Sequence, residues 1–369
     1  MPKFACGKKT EGFNYDEEKK TNLTALEEES EEQEINNQRI SKDIISEKNK
    51  LNKYLRDNNP YFAENLELQE MIGTGSESFV YKALCRKNKK VIVCKMIYKK
   101  KDEEDMNINK KELDIGMKLK NKNITNFFGS STIQKNELYF IAMEYDKYGN
   151  LRNFQRNYLK RNILSEQLIC YISYCILNGL KYIHMCKIAH MDLKPQNITV
   201  DDYLCFKIID FSISIDYSKM DEIKLQTIGT NFYMSPEVLS NKTIKAKDLN
   251  KVDLYSLGVI LYNLAFGNYP YNLSYEESED YDKIEEKIKS NWEIKDEDNI
   301  YSKLFIDFLK KLLEKDIEKR ININQALNHT WVKGAKILLD EKEKVFQCSN
   351  FLLYLLTDHF KSFNDYVRK

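Results

Sequence analysis

The sequence predicts an α+β protein in which a strand-rich part precedes a larger helical part. Three observations carry this. From Leu66 onward, apolar and polar residues follow a strand rhythm through Leu66 to Ile72, Phe79 to Leu84, Val91 to Lys95 and Leu138 to Ala142. From Ile163 to His184 the period lengthens to that of a helix, with Leu168, Ile172, Ile176, Leu180 and Ile183 among the residues available for one buried face. After Asp253 the run Leu254 to Phe266 is nearly all apolar, as expected of a helix at the centre of a helical layer.

Bulk properties fit such a protein. A chain of 369 residues, 42% hydrophobic and 31% charged, can bury a large core and is long enough for two or three folding units. Its formal net charge of +1 sets up no overall field toward nucleic acid or a membrane surface, so neither is expected as a partner. Eight cysteines without C-x-x-C spacing and four histidines argue against a zinc site and for reduced, intracellular thiols. The start, Met1 to Lys9, lacks the apolar run of a signal segment and has no glycine at position two. The longest apolar stretches, Leu254 to Phe266 and Phe351 to Leu356, are too short to span a bilayer. A soluble, cytoplasmic protein is expected.

Residues 1–60 form an arm of different composition. Glu27 to Glu34 is a like-charge block that cannot bury a core, and Ile40, Ile44, Leu51 and Leu55 beyond it could share one helical face. At the other end, residues 333–369 read as a helical extension with Val345, Leu352, Leu356, Phe360 and Phe363 on one face. Both arms are candidates for partner binding or self-association, against the plainer reading of a solvated arm and an extension packed on its own domain. Tyr275 to Asp282 is an acidic stretch, read first as a solvated loop and second as a docking site for a basic partner.

Between the arms, the stretch Tyr182 to Phe211 concentrates the chemistry. Asp192, Lys194, Asn197 and Asp210 are two carboxylates, an ammonium and a metal-competent amide. Phosphoryl transfer needs such a set: a carboxylate at the attacking hydroxyl, a cation on the phosphate and oxygen ligands for magnesium. His190-Met191-Asp192-Leu193-Lys194-Pro195-Gln196-Asn197, with Asp210-Phe211-Ser212 after it, resembles the catalytic and magnesium loops of eukaryotic protein kinases, His-Arg-Asp-Leu-Lys-x-x-Asn and Asp-Phe-Gly. Met191 replaces the arginine and Ser212 the glycine.

Further motifs follow the same order as in that family. Gly73-Thr74-Gly75-Ser76-Glu77-Ser78-Phe79-Val80 resembles the glycine-rich loop, with Ser78 in place of the third glycine. Val93-Cys94-Lys95 resembles the strand carrying the phosphate-binding lysine, and Glu112 the helix glutamate that pairs with it. Met143 stands as gatekeeper before a hinge, Glu144 and Tyr145, whose backbone would hold adenine. Gly229-Thr230-Asn231-Phe232-Tyr233-Met234-Ser235-Pro236-Glu237 resembles Gly-Thr-x-x-Tyr-x-Ala-Pro-Glu, and Arg320 the later arginine that pairs with Glu237.

The resemblance covers residues 66–332 and implies a two-lobe fold: a β-rich N-lobe at about 66–143, a hinge at 144–150 and a helical C-lobe at 151–332. It implies ATP and Mg2+ as cofactors and a protein as substrate, with Lys194 and Thr230 matching the serine/threonine type. Asp192, Lys194, Lys95, Glu112 and Thr230 would be catalytic, and Asn197 with Asp210 would hold the metal. Ile72, Gly73, Thr74, Gly75, Ser76, Val80, Val93, Lys95, Met143, Glu144 and Tyr145 would surround the nucleotide. Asn150 and Gln196 stand where relatives that select basic residues often carry glutamates, which argues against that preference.

The departures are Ser78, Met191, Ser212 and Gly116. Gly116, four residues after Glu112, stands where the family has a large apolar residue, and so implies a gap in the internal spine of Phe127, His190 and Phe211. These support a rival reading as a pseudokinase, a nucleotide-binding scaffold without turnover. A pure interaction module would rest on the arms alone. The enzyme reading prevails because every expected metal ligand, base and phosphate cation is present. Met191 cannot bind a phosphate on Thr227 or Ser218, so basal activity independent of activation-segment phosphorylation is expected.

Overall fold

The computed structural model describes residues 65–339 except 75–77, 99–102, 134–137, 161–162, 272–279, 291–292, 295 and 297–299. The amino-terminal arm, the extension beyond 339, Gly75, Ser76 and residues 275–279 of the acidic stretch lie outside the described residues.

Five strands form one antiparallel sheet: β1 (Leu66–Thr74), β2 (Ser78–Cys85), β3 (Val91–Tyr98), β4 (Phe127–Ile133) and β5 (Leu138–Glu144), in the order β1-β2-β3-β5-β4. Period-two alternation divides β3 between two cores. Ile92, Cys94 and Met96 pack with Leu68, Tyr81 and Phe140 on one face. Val93 and Ile97 turn to the other, joining Ile141, Met143 and Ile115 in the main core. Lys95 lies between Val93 and Ile97 in the same alternation, and this sends its ammonium to the inner face.

Helix α1 (Glu103–Lys118) buries Glu112 and Ile115. The helical pattern of Lys110 to Leu119 reads Leu113, Met117 and Leu119 as the inward apolar residues, but Met117 is 42% exposed, and Ile115 takes the inward place. The inward stripe at Glu112 and Ile115 continues at Leu119, just past the helix, and 117 falls on the opposite side of a 3.6-residue turn.

The helical part begins with α2 (Leu151–Phe154), capped by the Asn150 side chain, and a π-helical turn, Gln155–Leu159. Helix α3 (Glu166–Met185) buries the expected face and more, but starts later than Ile163. Ser165 is extended and serves as the N-cap, which leaves Ile163 outside the helix and 43% exposed. Short strands β6 (Ile188–Ala189), β7 (Ile198–Val200), β8 (Phe206–Ile208), β9 (Ile215–Asp216) and β10 (Glu222–Lys224) follow. Then come α4 (Pro236–Leu239), β11 (Thr243–Lys245), α5 (Asn250–Phe266), α6 (Tyr281–Lys289), α7 (Lys303–Leu312), α8 (Ile323–Asn328) and α9 (Thr330–Lys333).

Helix α5 is buried almost all round, as its uniform hydrophobicity requires. Two polar knots tie the layer together. Glu166 in the first turn of α3 accepts from Ser302 N at 2.7 Å and Trp331 Nε1 at 2.8 Å, joining the starts of α7 and α9. Arg320, fully buried, forks onto Glu237 at 2.6 and 2.9 Å and stacks over Tyr255. A buried charge survives only when paired in this way.

Candidate functional site

The loop between β6 and β7 owes its shape to one carboxylate. Asp253, in the first turn of α5, accepts from His190 N and Met191 N at 2.9 Å each and lies 2.8 Å from His184 Nε2. Burial works against its charge, but the His184 contact and the amide donors outweigh burial and hold the carboxyl below the usual carboxylate range. Met191 is thereby held at φ 71°, a left-handed conformation that a side chain adopts only when its surroundings enforce it.

Immediately after that turn stands Asp192. Its Oδ2 lies 2.8 Å from Lys194 Nζ and accepts from Asn197 Nδ2 at 3.0 Å, while Oδ1 accepts from Thr230 N at 3.2 Å. Lys194 also donates to Thr230 Oγ1 at 2.7 Å. Asn197 Nδ2 donates to Asp192 O as well, which fixes the amide's orientation and leaves Oδ1 as its acceptor end. The 3₁₀ turn Pro195–Asn197 brings Asn197 back beneath Asp192.

The second cluster comes from the sheet and α1. Lys95 Nζ lies 3.0 Å from both Glu112 oxygens and 3.4 Å from Asp210 Oδ1. Burial disfavours the ammonium, yet Glu112 and Asp210 more than offset that and raise its pKa. Burial likewise pushes the Glu112 carboxyl up, against the pull of Lys95. Asp210 sits at φ 66° and accepts from Ser212 N. Burial opposes its charge too, but Lys95 and that N–H hold it below the usual range, so it remains a carboxylate. Ser212 keeps a negative φ.

Behind these groups runs a column of rings, with Phe211 5.4 Å from His190 and 6.1 Å from Phe127 between centroids. The expected gap at Gly116 is not there. A Cβ on Gly116 would fall 2.6 Å from the Phe127 ring, so Phe127 already fills the space.

Of the expected nucleotide residues, Gly75 and Ser76 lie outside the described residues, and Gly73, Val80, Val93 and Met143 sit on neighbouring strands of the sheet. Gly73 lies opposite Val80 across β1 and β2, Val80 opposite Lys95, and Val93 opposite Met143. Ile72 is 42% exposed and Thr74 ends β1. Glu144 N donates to Asn126 O, while Tyr145 follows it at the edge, its ring under Lys82.

Sequence reasoning missed the side chains that hold this frame. Lys207, nearly buried in β8, touches Glu144 and Asp146 at 2.9 Å each and Asp201 at 3.1 Å. Asp146 also accepts from Thr199 at 2.6 Å, and Asn126 Nδ2 donates to Glu144 at 3.0 Å. A lysine between Phe206 and Ile208 in an otherwise apolar strand was the available signal, as was an aspartate opening an apolar helix for Asp253. Among the described residues no three His, Cys, Asp or Glu side chains converge as a metal cluster. No described helix is long and apolar enough to cross a membrane.

Residues 66–332 match the family model of the protein kinase domain. Among curated proteins, the chain is similar to MAP kinase kinase MKK1/SSP32 of Saccharomyces cerevisiae, 28% identical over 73% of this chain and 54% of that protein. It is 32% identical to serine/threonine-protein kinase dst2 of Dictyostelium discoideum over 74% of this chain and 23% of that protein. With human serine/threonine-protein kinase ULK3 it shares 30% identity over 72% of this chain and 54% of that protein. The chain thus matches about half or less of the length of these relatives.

Proposed function

The chain belongs to the protein kinase domain family, and from that premise we propose that residues 66–332 transfer the γ-phosphoryl group of ATP to a serine or threonine hydroxyl of a protein. The observation that carries this reading is Asp192, set between Lys194, Asn197 and Thr230. Asp192 accepts the proton of the substrate hydroxyl. The hydroxyl oxygen bonds to the γ-phosphorus as the bond to the β,γ-bridging oxygen breaks, and ADP departs. Lys194 balances charge gathering on the transferred group, and Thr230 holds Lys194 and Asp192 in register.

Lys95, aimed by Glu112, takes the α- and β-phosphates. The roof would be Ile72 to Ser76, Val80 and Val93, with adenine against Met143, Glu144 and Tyr145. Since Glu144 N is engaged with Asn126, its contact with adenine would come from the carbonyl. Asn197 and Asp210 suit magnesium: one is a carboxylate held ionised, the other an amide whose nitrogen is spent on Asp192. Two protein oxygens with phosphates and waters are a usual set for that ion, which would neutralise phosphate charge. The serine/threonine assignment draws support from Lys194 and from the named relatives, and a cytoplasmic setting and protein substrates belong to the same proposal.

The test is transfer of radiolabelled phosphate from ATP to a generic protein by the full chain. Turnover that Asp192→Asn abolishes is expected. A wild-type chain that binds ATP but transfers nothing would establish the scaffold reading instead.

A further inference from the structure

Between β9 and α4 the chain must deliver Thr230 to Asp192, and the usual cation for a phosphate on this segment is replaced by Met191. We infer that Asn241 and Thr227 form a neutral latch that holds the Thr230 segment on Asp192 without a phosphate; the inference rests on the kinase reading above.

The latch begins with a helix ending. Helix α4 closes with Asn241 N donating to Val238 O and Lys242 N to Glu237 O, both at 3.0 Å, with Asn241 at φ 47°. That pair of bonds requires a left-handed residue just past the helix, a place where asparagine is tolerated after glycine. An asparagine also brings a side chain. Its Oδ1 accepts from Thr227 N at 3.1 Å, which fixes which end of the amide faces the segment. The Thr227 hydroxyl lies 3.2 Å from Val238 O and 3.1 Å from the same Oδ1. The hydroxyl has one proton, and each of these oxygens, already accepting one N–H, keeps a second lone pair for it.

Three residues on, Thr230 meets Asp192 and Lys194. The link passes through Gly229 at φ 120°, where an added Cβ would lie 3.3 Å from Asp192 Oδ1, so this short tether is pressed against the catalytic aspartate. On the other side, Leu225 N donates to Lys242 O at 3.1 Å, and β10 pairs with β11. Met191 packs with Ile215, Ile223 and Phe232 against the apolar cluster of Leu225 and Met234. Apart from the Thr230 bonds to Asp192 and Lys194, every anchor named here is a backbone bond, a neutral side-chain bond or an apolar contact. A displacement at Thr227 therefore has a direct route to Thr230, and Thr227 and Asn241 act as positioning residues.

The test compares full-length wild type with Thr227→Val, which keeps shape and removes the hydroxyl, Thr227→Ser, which retains it, and Asn241→Gly, which keeps the left-handed backbone and removes Oδ1. Turnover, the KM for protein and for ATP, and amide exchange of residues 225–233 are measured with and without phosphatase. Thr227→Val and Asn241→Gly should lose roughly tenfold in kcat/KM for protein, the size of one or two neutral hydrogen bonds. Their KM for ATP should be unchanged and exchange at 227–230 faster. Thr227→Ser and phosphatase-treated wild type should match untreated wild type. Wild-type kinetics and exchange in both Thr227→Val and Asn241→Gly overturn the latch. A wild type without turnover would sink the kinase reading, and exchange alone would then decide the latch.

Discussion

The ring of Phe127 occupies the space that a side chain on Gly116 would need, with its atoms 2.6 Å from where a Cβ would stand. The sequence read alone placed a gap in the spine at this position. Strand β4 instead supplies the missing volume from the opposite side, and Phe127 touches Phe211 in turn. Filling the position should therefore harm the protein: Gly116→Leu should cost about 1–3 kcal/mol by overpacking. Thermal unfolding checks this, and Gly116→Leu with Phe127→Leu should recover part of the loss. A stabilised Gly116→Leu would contradict the occupied space.

Removing the proposed base and the proposed phosphate cation should separate two effects. Asp192→Asn should lower kcat by about 10²- to 10⁴-fold. Lys95→Met should also remove most turnover, while adenine contacts near Met143 keep nucleotide binding measurable. Titration with a fluorescent ATP analogue beside the kinetic assay distinguishes them.

Among the described residues, Lys207 is the cation that pairs with Glu144, Asp146 and Asp201. Lys207→Met leaves three carboxylates without it, and breaking a buried pair from one side costs about 3–5 kcal/mol. A lower melting temperature and a raised KM for ATP are expected, because Glu144 and Asp146 lie in the segment proposed as the hinge. Unchanged values for both would show the cluster to be energetically idle.

The depressed pKa of Asp253 makes stability depend on pH. Its folded value lies below the unfolded one of about 3.9, so its contribution is present above that pH and fades as pH falls through the folded value. Asp253→Asn should unfold more readily at neutral pH and show a shallower loss of stability below about pH 4 than wild type. Parallel acid denaturation curves would remove this assignment.

Phosphatase treatment and Ser218→Ala should each leave basal activity within about twofold, since a phosphate there lacks an arginine at 191 to bind it. Ser218 is exposed and its N–H bonds Asp216 Oδ1 at 3.0 Å. Ser212, at negative φ, adds about 1–2 kcal/mol against a flipped loop that needs positive φ at that residue. A tenfold fall on dephosphorylation would reveal a phosphate pocket built from other residues.

Strand alternation around Lys95, the apolar length of α5 and the spacing from His190 to Asp210 are local properties, and the sequence by itself determined them. So it specified the α+β class, the order of the parts and the side chains that meet around Asp192 and Lys95. Periodicity could not say what stands opposite a given position. Phe127 filling Gly116, Lys207 joining three carboxylates and Asn241 reaching Thr227 each depend on contacts between elements distant in the chain. Even Asp253, visible as a charge at the head of an apolar helix, gained its role only when the fold carried His190 and Met191 to it. Tertiary structure decided these pairings because a buried polar group must find a partner and a close-packed interior must fill its voids, and both conditions are met in space and not along the chain.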